Sequence, residues 1–168
     1  MTFELKKLTH EGIESALSKA ERYRLLNQPA EAASICRDVL AADRDNQPAF
    51  VGLILSLSDQ YALGADPSRE IDALAAKVND PHDKAYFTGL ALERRAKALF
   101  AQRANMGTRH IVHAWLHRAM QLFEEAEAVR PAGNDEALLR WNACARFLMQ
   151  HPGICAEVEE ERVAVMSE

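Results

Sequence analysis

The chain has 168 residues, 48% of them hydrophobic and 27% charged, with a formal net charge of −5. That is enough chain for one domain with a buried core, and the acidic balance argues against a general nucleic-acid binder. No apolar run approaches the roughly 20 residues that a membrane-spanning helix needs, and the opening MTFELKKLTHEGIESALSK has no apolar stretch of the signal-peptide kind. A single cytoplasmic domain over residues 1–168 is therefore expected. Three cysteines, Cys36, Cys144 and Cys155, form no CxxC pair and sit in apolar or alanine-rich sequence. That setting predicts buried, reduced thiols.

Alanine, leucine, glutamate and arginine dominate, and apolar residues recur at three and four rather than at two, which predicts an all-α fold. The first helix is expected over residues 9–27, with Thr9 as N-cap. Pro29 opens a second, ending near Asp43 at the turn RDNQP. The third covers 48–63 and stops at Gly64. Pro67, after Asp66, opens a fourth that ends at Asn79. Pro81 opens a long fifth helix to about Asn105, where Gly107 interrupts. The sixth runs over 108–130 and is closed by Pro131, Gly133 and Asn134. The seventh covers 135–150 and ends at His151-Pro152-Gly153. Residues 151–168 form an acidic tail, read as either a disordered end or a short helix covering Trp141.

One set of intervals recurs. Ala32, Cys36, Arg44 and Phe50 are spaced by four, eight and six. Arg69, Ala73, Pro81 and Phe87 repeat the spacing, as do Ala119, Phe123, Pro131 and Ala137. Internal repetition of this kind marks a helical array. The first unit reads Ala16-x2-Lys19-Ala20-x2-Tyr23, then Ala32 and Cys36; the second reads Phe50-x2-Leu53-Ile54-x2-Leu57, then Arg69, Ala73 and Pro81. The third reads Phe87-x2-Leu90-Ala91-x2-Arg94, then Ala119, Phe123, Ala126 and Pro131, followed by Ala137-x2-Arg140-Trp141. On these residues, about 10–150 of the chain resembles the tetratricopeptide repeat family. The resemblance implies a right-handed stack of about three antiparallel helix pairs with a terminal capping helix. Small residues such as Ala20, Ala32 and Ala91 would let helices approach, while Tyr23, Phe50, Phe87 and Phe123 fill the gaps.

The departures are informative too. From Tyr23 to Ala32 the interval is nine, from Leu57 to Arg69 twelve, and from Arg94 to Ala119 twenty-five. The third hairpin should therefore extend past its neighbours by about two turns on each arm. Trp141 stands where the family has a small residue, and on a terminal helix it is free to meet the tail or another chain.

Residues 84–118 carry Lys84, Arg94, Arg95, Lys97, Arg103, Arg109 and Arg118 against a single acid, Glu93, whereas residues 119–168 hold four basic and ten acidic groups. This basic hairpin suits an acidic protein surface, self-association or simple solvation of long helices. Its few aromatics argue against stacking on single-stranded nucleic acid. His110, His113 and His117 share one face of the sixth helix, opposite Val112, Leu116, Ala119, Phe123 and Ala126. With Glu124 or a residue of another helix they form a candidate transition-metal or sensing site, weighed against solvated histidines. There is no GxSxG, P-loop, GxGxxG or HExxH motif. Catalysis and cofactors are accordingly not expected.

The resemblance also implies an inner groove lined by the first helix of each pair, at Leu17, Glu21, Val51, Leu55, Thr88, Leu92, Arg95, Leu138 and Asn142. Some family members clamp a terminal carboxylate with lysine and asparagine at the positions that Leu17 and Glu21 occupy here, so that clamp is absent. A largely apolar groove suits a peptide or helix segment of another protein, or this chain's own tail. The expected function is a protein–protein interaction scaffold with no membrane partner. The alternatives are the histidine metal site and a homo-oligomer through the extended basic hairpin.

Overall fold

The computed structural model of the chain describes residues 2–102 and 106–156. Among these every regular element is helical: α1 (Ile13–Leu25), α2 (Pro29–Ala42), α3 (Gln47–Asp59), α4 (Ser68–Ala75), α5 (Pro81–Gln102), α6 (Met106–Ala128) and α7 (Glu136–Gln150). Short 3-10 turns at His10–Gly12 and Gln60–Leu63 precede α1 and prolong α3.

The boundaries follow local chemistry. α1 ends because Asn27 adopts a left-handed φ of 58°. Gln28 N–H then reaches back to the Tyr23 carbonyl (2.9 Å) and Asn27 N–H to that of Arg24 (2.9 Å), which satisfies two otherwise orphaned acceptors. Gly64 (φ 91°) closes the prolonged α3 in the same way, with Ala65 N–H on the Gln60 carbonyl. Asn46 caps α3 by accepting from Ala49 N–H at 2.9 Å, and Asp80 accepts from Asp83 N–H, also at 2.9 Å, at the start of α5. Pro29 and Pro81 occupy first-turn positions, where a missing N–H costs nothing.

Each of α1–α2, α2–α3, α3–α4, α5–α6 and α6–α7 packs as a neighbouring pair, and α1, α3, α5 and α7 also touch in series. Close approach needs small residues. A Cβ on Gly52 would stand 3.0 Å from Cys36 Sγ, so α3 lies tight on α2; a Cβ on Gly89 would stand 3.0 Å from the Phe123 ring, so α5 lies tight on α6. One buried cluster joins Ala32, Cys36, Phe50, Ile54, Leu57 and Ile71. A second joins Leu90, Ala96, Leu116, Phe123, Ala137 and Cys144, and Phe87 packs against both. Each large apolar side chain so buried contributes about 1.5–3 kcal/mol. The face expected inside α6, Val112, Leu116, Ala119, Phe123 and Ala126, is fully buried.

Three expectations need correcting. In α4 the repeat-matched positions Arg69 and Ala73 are exposed; Ile71, Leu74 and Ala75, with Val78 just beyond, face inward. α4 obeys its own three-and-four apolar spacing rather than the interval ladder. α6 starts at Met106, so Gly107 lies inside its first turn and not between the two helices. Nor does the long hairpin extend uncovered. The prolonged α3 follows it on one side, where Gln102 Nε2 donates to the Tyr61 carbonyl (2.9 Å). On the other side Phe100 packs edge-on against Phe147 (5.5 Å) and His151 (4.8 Å). The chain after α7 then folds back, and Ile154, only 6% exposed, joins the second core. The first residues of the expected tail are thus docked; residues 157–168 lie outside those described.

Candidate binding groove

Where α1 meets α3, Leu17 and Glu21 of α1 and Val51 and Leu55 of α3 come together around a cleft of about 440 Å³, above the buried Cys36. Helical spacing does this: residues four apart stack on one face, and the two faces confront each other. Arg24, one turn beyond Glu21, lines this cleft and also a second one of about 520 Å³. Asn27, Ser58, Asp59, Arg94, Lys97 and Gln102 are among the residues lining that second cleft.

Asp59 ties three helices together here. Its Oδ2 accepts from Arg24 Nε at 2.8 Å and its Oδ1 pairs with Arg94 Nη1 at 2.8 Å. Arg94 Nη1 also donates to Ser58 Oγ (2.6 Å). Burial pulls the Arg94 guanidinium below its ordinary pKa, and Asp59 opposes that shift. Beside it, Glu93 is almost wholly buried. Its Oε1 accepts from Lys97 Nζ at 2.5 Å and lies 3.6 Å from Arg140 Nη1 on α7, while Oε2 has no hydrogen-bond partner among the described residues. Lys97 Nζ also stands 5.3 Å from the Phe147 ring centroid. The charged groups Arg24, Asp59, Arg94, Glu93 and Arg140 thus step across α1, α3, α5 and α7.

The other expected groove residues do not join these clefts. Thr88 donates to the Lys84 carbonyl (2.6 Å), and Leu92 packs on the second core. Arg95 turns elsewhere, to Asp66 (2.7 Å) and the Trp115 ring (4.3 Å), and it is Arg94 that enters the groove. Leu138 and Asn142 line a separate cleft of about 250 Å³ with Glu124, Glu127 and Trp141. Trp141 itself donates to Glu124 Oε1 (2.9 Å).

Most cations of the long hairpin are engaged within the molecule. Besides Arg94, Arg95 and Lys97, Lys84 donates to the Ala76 carbonyl (3.4 Å), and Arg118 reaches Gln121 (3.2 Å) and Glu125 (3.1 Å). Arg109 packs against Gly153, where a Cβ would stand 2.5 Å from its Nη1. Arg103 lies outside the described residues. In the histidine row, the His113 and His117 rings pack at 4.2 Å. Burial first, and then the His117 charge, lower the His113 pKa. Among the described residues, the one group of three potential ligands whose atoms converge within 4.8 Å is Asp80, His82 and Asp83, not the histidine row. It sits at the α5 N-terminus, where the helix dipole disfavours a cation and where Asp80 already serves as cap. Cys36 and Cys144 are buried and desolvation pushes their pKa values up to about 11 and about 12, but Cys155 is exposed, contrary to expectation, because it faces away while Ile154 docks.

Sequence reasoning missed the Arg24–Asp59–Arg94 bridge and the buried Glu93. A signal for Glu93 was present: Tyr86, Leu90, Glu93 and Ala96 share one helical face with apolar neighbours. No helix among the described residues is long and apolar enough to cross a membrane. Comparison with family models, with curated proteins and with solved structures finds no match to this chain.

Proposed function

We propose that the helix pairs form a tetratricopeptide-like stack and that the groove between α1, α3 and α5 binds a segment of another protein, without catalysis or cofactor. The carrying observation is that Leu17, Glu21, Val51 and Leu55 share one cleft, open to solvent, and that Arg24 lines both it and its polar neighbour. The pairwise packing of α1–α2, α3–α4 and α5–α6, and the serial contacts of α1, α3, α5 and α7, support the stack. An aliphatic side chain entering the first cleft gains burial, and Glu21 and Arg24 at its rim fix orientation. The test is selection of displayed peptides on the purified chain. Enriched peptides should carry an aliphatic anchor and lose at least tenfold in affinity on a folded Val51→Glu variant. Peptides that bind Val51→Glu unchanged would refute the groove.

A further inference from the structure

Resting on that groove reading, we infer that its partner is an acidic amphipathic helix, which seats an aliphatic side chain in the Leu17–Val51–Leu55 cleft and a carboxylate two turns away against Arg24. The polar cleft has cationic donors to spare and no free carboxylate among the described residues. Both Asp59 oxygens are engaged by Arg24 Nε and Arg94 Nη1. The Ser58 hydroxyl is spent, accepting from Arg94 and donating to the Leu55 carbonyl. By contrast, among the described residues Arg24 uses only Nε, so both of its terminal nitrogens lack a partner, and the Asn27 amide donates to nothing. Lys97 gives one hydrogen bond, to Glu93. Three cations and one carboxylate line this cleft, and the one acid of the apolar cleft, Glu21, stands on α1 one turn before Arg24. A carboxylate entering here gains charge-assisted hydrogen bonds that the protein leaves unmade.

The spacing specifies the rest. Arg24 follows Leu17 by seven residues on α1, about 10 Å at 1.5 Å per residue. A partner helix presents positions i and i+7 on one face at that same separation. An extended strand puts residues about 7 Å or about 13 Å apart on one face and fits less well. No aromatic ring lines either cleft, which leaves nothing on which a nucleobase could stack.

The probe is an acetylated, amidated alanine–glutamine helix of about 18 residues, long enough to be helical, with leucine at i and i+4 and glutamate at i+7. Companion peptides carry glutamine or lysine at i+7, or move the glutamate to the opposite face. By fluorescence anisotropy with the full chain, the in-register glutamate helix should bind at least tenfold tighter than the lysine helix. That preference should shrink severalfold between about 50 mM and about 500 mM salt. Arg24→Gln should cut the glutamate-over-glutamine preference to within twofold. The salt arm needs no variant, so a misfolded Arg24→Gln does not shield the inference. Equal binding of the lysine and glutamate helices overturns the acidic partner and leaves the groove standing. Failure of every leucine-bearing helix overturns both. A dimer of the chain that Arg24→Gln disperses would assign the cleft to a second copy and also overturn the inference.

Discussion

Replacing Glu93 tests the charge pairing between α5 and α7. The carboxylate is 1% exposed and faces Lys97 and Arg140, whose side chains are 32% and 38% exposed. In Glu93→Gln the shape persists, but an amide with donors replaces the acceptor next to two cations. Breaking a fully buried pair costs about 3–5 kcal/mol, and an exposed one about 0–1 kcal/mol. Here one partner is buried and two reach water, so about 2 kcal/mol is expected. For a chain of this size that lowers Tm by about 4–8 °C. Glu93→Met removes the unpartnered Oε2 together with the charge and fills the same space with apolar atoms, so it should stay within about 1 kcal/mol of the parent. Thermal and urea unfolding followed by circular dichroism reads both. A Gln variant melting within a degree of the parent, or a Met variant less stable than the Gln variant, would refute the reasoning.

Other consequences are as direct. In the native state a thiol reagent at about pH 8 should label Cys155 alone, since Cys36 and Cys144 are buried and held protonated. The same shifts set an alkaline limit. The ordinary thiol pKa is 9.0, so above pH 9 the unfolded chain ionises while the folded one holds its protons to about 11 and about 12. Stability is thus fully present below pH 9 and falls as pH rises through that window, by up to about 1.4 kcal/mol per pH unit per thiol. Tyr61, raised from 10.0 to about 12, adds to the loss above pH 10. A flat stability curve from pH 8 to 11 would contradict this. Ile154→Ala should cost about 2 kcal/mol and speed amide exchange at residue 154, whose N–H is held by the His151 carbonyl at 2.9 Å. Unchanged exchange there would show that the segment is not docked.

The long periodic helices were legible because their pattern is local. Five residues of α6 spaced by three and four had one way to face a core, and they took it. In α4 the inward face, Ile71, Leu74, Ala75 and Val78, follows the same spacing and not the repeat intervals at Arg69 and Ala73, because insertions break intervals before they break amphipathicity. Likewise Leu17, Glu21, Val51 and Leu55 meet because α1 and α3 are neighbours and the pattern is regular there. Arg95 departs from the groove because Asp66 and the Trp115 ring hold it elsewhere, and Leu138 and Asn142 because α7 sits against α6. The Arg24–Asp59–Arg94 bridge spans 35 residues in each direction, beyond anything helical periodicity encodes. Cover over the long hairpin comes from the Tyr61 carbonyl after α3 and from Phe147, His151 and Ile154 in and after α7, elements that no local pattern ties to it.

If the cleft between α1 and α3 is where a partner segment binds, a methyl-detected NMR titration with a selected peptide shows it. The methyl groups of Leu17, Val51 and Leu55 should shift together and saturate at one stoichiometric equivalent, with those of Leu138 and Leu139 unmoved. Shifts centred on α6 and α7, with Leu17, Val51 and Leu55 unchanged, would contradict it.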